Sequence, residues 1–92
     1  MNNWQSYIKE YQNYLKLERG LSQNTIANYT FDIEKLVLFL TQKEIKISPI
    51  HITEEVIQQF IYEMATQVNP RSQSRLISGL KSFFNYLIFE DY

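Results

Sequence analysis

The chain has no cysteine, one histidine, two glycines and two prolines. Without cysteine it can build neither disulfides nor thiolate metal sites, and a lone histidine, His51, offers no metal-ligand spacing. No metal and no cofactor are expected, and a reducing compartment fits. So little glycine and proline disfavours a turn-rich sheet and favours long helices. No apolar run approaches the ~20 residues of a membrane span. The opening MNNWQSYIKEYQ lacks the charged and apolar regions of a secretory leader. The expectation is a cytoplasmic protein with no membrane partner and no small-molecule ligand. Excess charge is missing too. Nine Lys and Arg against ten Asp and Glu leave a net charge of −1, so composition alone does not announce nucleic acid. What the chain does have is apolar material, 45% of its 92 residues. That suffices for one core and one domain over residues 1–92, of marginal stability.

Period and punctuation divide the chain into four helices. Trp4, Ile8, Tyr11 and Leu15 recur at helical spacing from about Trp4 to Glu18, and Gly20 suits a left-handed stop. Ser22 reads as the next N-cap, with Leu21 and Ile26 at the hydrophobic-staple spacing. Ile26, Tyr29, Ile33, Leu36, Val37 and Leu40 form that helix's buried stripe. Phe31 and Leu38 on its far side predict neighbours on two sides. Thr41 to Ile52 is the longest connection. Thr53 caps a third helix, with Glu54 and Glu55 in its first turn and Ile52 and Ile57 as staple. That helix buries Val56, Phe60, Ile61 and Met64. Asn69-Pro70 opens a fourth that reaches about Glu90. For the aromatics in these stripes, Trp4 and the tyrosines included, core packing is the plain reading.

Two surfaces are free of acid. On the fourth helix Leu76, Ile77, Leu80, Phe83, Phe84 and Leu87 gather on one side. Arg71, Ser74, Arg75, Ser78, Ser82 and Asn85 gather on the other, with Lys81 at the flank. No acid occurs between Glu63 and Glu90. An ordinary solvated face mixes both signs. This one carries small hydroxyls, which permit close approach, and cations, which reach phosphates or guanine edges. The second surface is the start of the second helix: Ser22, Gln23, Asn24, Thr25 and Asn28, with no acid between Glu18 and Asp32. A helix N-terminus normally welcomes Asp or Glu. Neutral donors beside free backbone N–H groups suit an anion instead. Ser22 and Thr25 also suit the plainer task of capping their own helix.

"YLKLERGLSQNTIANYTFDIEKLVLFL" followed by "RSQSRLISGLKSFFNYLIFED" resembles the N-terminal core-binding domain of the tyrosine recombinase, or phage integrase, family, Xer-like. The carriers are the Arg19-Gly20-Leu21-Ser22 turn, then Thr25, Tyr29 and Asp32. The fourth helix adds the Ser74, Arg75, Leu76, Ser78, Leu80, Lys81, Ser82, Phe83 pattern. The resemblance covers essentially the whole chain. It implies an all-α, four-helix, SAM-like orthogonal bundle that clamps one face of double-stranded DNA through its second and fourth helices in site-specific recombination and integration. Other recombinase protomers on the DNA are implied as partners. The resemblance also implies an N-terminal fragment of a longer recombinase whose catalytic domain lies beyond Tyr92. This fragment would not itself be an enzyme, and none of Tyr7, Tyr11, Tyr14, Tyr29, Tyr62, Tyr86 and Tyr92 inherits the nucleophile.

The expected DNA-binding residues are therefore Ser22, Gln23, Asn24, Thr25, Asn28, Arg71, Ser74, Arg75, Ser78 and Lys81, with no catalytic residue. Arg75, inside the helix, is expected to read a guanine, and Arg71, in the first turn, to meet a phosphate. Removal of either should leave folding intact, since both face away from Leu76, Leu80 and Phe84. The alternative function is a helical protein–protein module, presenting Trp4, Tyr7, Tyr11 and Tyr14 to a partner. Tyr7 and Tyr14, off the core stripe, are the better candidates for contacts between protomers.

Overall fold

Local signals set most helix boundaries in the computed structural model, which describes residues 4–90. The helices are α1 (Trp4–Leu17), α2 (Gln23–Gln42), α3 (Glu54–Met64) and α4 (Pro70–Phe89), and no strand occurs among the described residues. Tyr92 lies outside them. The three interior N-caps fall where the side chains predict. Ser22, Thr53 and Asn69 each accept from the backbone N–H three residues on, which satisfies one orphan donor apiece. The stop after α1 is Gly20 at φ 60°, with Leu21 N–H donating to the Leu15 carbonyl at 3.0 Å. The stop after α2 uses the same left-handed geometry on Glu44, at φ 56°.

The core lies where α1, α2 and α4 meet. Tyr11 is its hub: fully buried, edge-on to Phe83 at 5.2 Å and tilted on Tyr86 at 5.3 Å. Its hydroxyl shares a 2.7 Å hydrogen bond with Ser82 Oγ, so a ring worth about 1.5–3 kcal/mol of burial leaves no orphan oxygen. Trp4 stacks on Phe83 and donates from Nε1 to the Ile47 carbonyl at 2.8 Å, which ties α1 to the connection after α2. α3 closes the bundle through Phe60 against Phe39, Gln73 Nε2 donating to the Ile61 carbonyl, and a Lys43–Glu63 ion pair. His51 is an exposed turn residue beside Ser48.

Two expectations are corrected. Phe31 and Leu38 stay largely outside the core, each 57% exposed, although Leu38 edges a cleft with Met64 and Val68. α2 does touch both α1 and α4, but through a wider buried arc that adds Thr30, Asp32 and Phe39. Phe31 instead lies under the Lys35 ammonium, 5.0 Å from the ring centre. Tyr7 and Tyr14 do not stand clear of the core. Both are half-buried against it, and the Tyr14 ring packs on Tyr86 at 4.8 Å and on Phe89 at 6.3 Å.

Candidate nucleic-acid interface

The N-terminus of α2 is built by its own cap. Ser22 Oγ accepts from Thr25 N–H and donates to Thr25 Oγ1 at 2.9 Å. Both hydroxyls thus serve the cap, while helix geometry leaves the N–H groups of Gln23 and Asn24 without intrahelical acceptors. Ser22, Gln23, Asn24 and Asn28 are exposed and Thr25 is half-buried. Gln23 diverges from the rest, into a cleft between α1 and α2 that also holds Lys16.

On α4, Arg71, Ser74, Arg75, Ser78 and Lys81 are all exposed. Ser78 and Lys81 line one open groove with Tyr29 of α2, Asn85 and Arg19. Arg71 and Ser74 lie at the other end of the helix, next to the capped N-terminus. The two predicted surfaces meet at Tyr29 and Asp32, one turn beyond Thr25 and Asn28.

Asp32 is the residue that sequence reasoning left without a role. Its side chain is wholly buried, and Arg75 Nη1 and Nη2 donate to its two carboxylate oxygens at 3.2 and 3.0 Å. This fork joins α2 to α4. Beneath it sits Gly79, buried on α4: a Cβ there would stand 2.6 Å from Asp32 Oδ2. So the small residue at 79 admits the carboxylate of a neighbouring helix. Burial pushes the Asp32 carboxyl above the ordinary carboxylate range, against the pull of Arg75 and then Lys35. The Arg75 side chain remains 48% exposed. Its end-on fork is committed to Asp32, so what faces outward is its side edge. The expectation that Arg75 is free to leave the fold untouched is therefore corrected: its guanidinium is the counter-charge of a buried acid. A signal was present. An aspartate inside an apolar stripe needs a cation, and α4 alone combines an acid-free face with a glycine on its core side.

Arg19, named above only as part of the turn, also lines the groove. It immediately precedes the Gly20 turn, and the cation next to a conformationally fixed stop was its signal. Burial raises the Tyr11 hydroxyl above its ordinary pKa, while the Ser82 hydrogen bond and the Arg19 charge oppose this. The opposite side of α1 has the contrary character. Burial, then Glu10, Glu90 and Glu18, push Tyr86 up to about 12.

The family model for the phage integrase N-terminal SAM-like domain matches residues 8–91. A tyrosine recombinase of Pseudothermotoga lettingae is 36% identical over 83 residues, covering 87% of this chain and 28% of that protein. Tyrosine recombinase XerC of Thermodesulfovibrio yellowstonii is 34% identical, covering 100% of this chain and 29% of that one. Tyrosine recombinase XerD of Staphylococcus haemolyticus is 33% identical, covering 96% and 30%. The chain thus spans under a third of the length of these relatives. No solved structure gives a significant match.

Proposed function

Because the chain belongs to the phage integrase N-terminal SAM-like domain family, with a role in site-specific recombination, we propose that it is the part of a tyrosine recombinase that grips duplex DNA, with α2 and α4 as the gripping helices. One observation carries this reading: the N-terminal turns of α2 and the whole of α4 are acid-free except for Asp32, and Asp32 is buried and paired. The carboxylates that would repel a phosphate are absent or hidden. Ser22, Gln23, Asn24, Thr25 and Asn28 supply neutral donors. Arg71 and Lys81 supply charge, Arg75 supplies the guanidinium edge left over from its pair with Asp32, and Ser74 and Ser78 keep the face low. Arg75, aimed by Asp32, is the arginine suited to a base edge; Arg71 is the anchor. The strand-exchange chemistry, in this reading, uses none of the tyrosines named above, and the site of action is cytoplasmic DNA. No helix among the described residues is long and apolar enough to cross a membrane.

A salt titration tests this. Each phosphate neutralised contributes about −0.9 to the slope of log affinity on log salt. Anisotropy with a labelled duplex of mixed sequence should give a slope of about −2 to −3, with micromolar or weaker affinity, as befits a chain with net charge −1. Affinity indifferent to salt would defeat the proposal.

A second reading, a protomer-contact surface, is favoured by Leu17, Ile88 and Phe89, exposed at the C-terminal ends of α1 and α4. Of the aromatics first expected to serve it, Trp4 and Tyr11 are core.

A further inference from the structure

Two grooves flank α1, and they are opposite in charge. One is lined by Glu10, Glu18 and Glu90, with no cation. The other, about 530 Å³, is lined by Arg19, Tyr29, Ser78, Lys81 and Asn85 among others, with no acid. Tyr14 and Tyr86 belong to both and form the partition. In a chain with more acids than bases, this segregation places two cations and several neutral donors around one opening.

The two cations come from different elements. Lys81 stands on α4. Arg19 stands on the stop after α1, where its own N–H donates to the Tyr14 carbonyl at 3.2 Å and the next residue is the left-handed Gly20. Its backbone is therefore fixed. Its charge is felt at the Tyr11 hydroxyl, which bonds Ser82 on the groove's α4 wall. Among the described residues neither Arg19 nor Lys81 forms an ion pair. Arg75, one turn before Ser78, has an internal acid; these two do not.

We propose that this groove seats one backbone phosphodiester of duplex DNA, held jointly by Arg19 and Lys81, with Tyr29 and Asn85 as neutral donors. The proposal rests on the DNA-binding reading above and adds a contact outside α2 and α4. A single shared phosphate has a signature that two separate contacts lack. Removing both cations should then forfeit the counterion release of one phosphate, not two.

The experiment is the same salt titration on the chain carrying Arg19→Ala, Lys81→Ala and both together, with melting temperatures alongside. Both side chains are exposed, so melting should hold. Arg19→Lys with Lys81→Arg, which keeps both charges, should keep the wild-type slope. The double alanine variant should flatten the slope by about 0.9, and neither single variant should flatten it by more. A flattening of about 1.8 would assign two independent phosphates and overturn the shared seat. An unchanged slope would overturn the site and take Lys81 out of the grip, while leaving the rest of the DNA reading standing. A wild-type chain with no salt-dependent binding would bring down both.

Discussion

At the residue scale, Asp32 and Arg75 decide more than their exposed neighbours. A buried ion pair adds little net stability, but breaking it leaves an uncompensated charge. Arg75→Ala should cost about 2–3 kcal/mol at neutral pH, below the ~3–5 kcal/mol of a wholly buried pair because Arg75 is half in water. The pH dependence has a definite sign. Burial already holds the Asp32 carboxyl above its ordinary value, and losing Arg75 raises it further. The folded state then binds the proton more tightly than the unfolded state, so stability falls as pH rises from the ordinary carboxylate pKa to the raised one. Urea unfolding should show the deficit of Arg75→Ala shrinking on acidification through that window, and Asp32→Asn should remove the pH dependence. A deficit that is constant or grows on acidification would contradict the pairing. None of this was legible as a contact, because the partners are 43 residues apart and only packing brings them together. What was legible was each half: an aspartate among apolar residues and a helix without acids.

The helices themselves were legible because their signals are local. Ser22, Thr53 and Asn69 each act within one turn of themselves, and a left-handed stop needs only a residue that tolerates positive φ. The α2 end was less legible because Glu44 occupies such a position without being glycine. Its closure is complete: Glu44 N–H donates to the Thr41 carbonyl and Ile45 N–H to that of Leu40. The two stops therefore answer opposite substitutions. Gly20→Ala should lower stability by about 1 kcal/mol, since alanine resists φ near 60°. Glu44→Gly should raise it by about 0.5 kcal/mol, relieving the same strain less glycine's entropy cost. Thermal melts of both variants check this; two changes of the same sign would refute it. Beyond single elements the pattern misled at Phe31 and Leu38. An apolar residue on a helix shows which faces could be covered, and three-dimensional packing decides which are.

For the whole molecule, the proposed DNA grip requires that the placement of charge matter more than its sum. Lys81→Gln and Glu90→Gln each change the net charge by one unit, from −1 to −2 and to 0. If net charge governed duplex binding, the two effects would be equal and opposite. Glu90 lies in the acidic groove, behind the Tyr14–Tyr86 partition. Screening at physiological salt acts over about 8 Å. Lys81→Gln should weaken binding severalfold, and Glu90→Gln should strengthen it by clearly less, in anisotropy titrations at that salt. Equal magnitudes would mean that the overall field, not the groove, attracts the duplex. This polarity was half legible: acid-free spans are visible in the sequence, whereas the convergence of Arg19 and Lys81 on one opening depends on how α1 crosses α4.

The contact between Asp32 and Gly79 has a mechanical consequence. A carboxylate that would stand 2.6 Å from a Cβ at that position, forked by an arginine of the same helix, is a riveted joint between α2 and α4. Helices joined so closely cannot splay without exposing the buried acid. The two form a calliper of fixed gauge. Under the proposed grip, the misfit of a duplex laid across both helices would be taken up by bending of the DNA and not by opening of the protein, so DNA deformability would become part of what is selected.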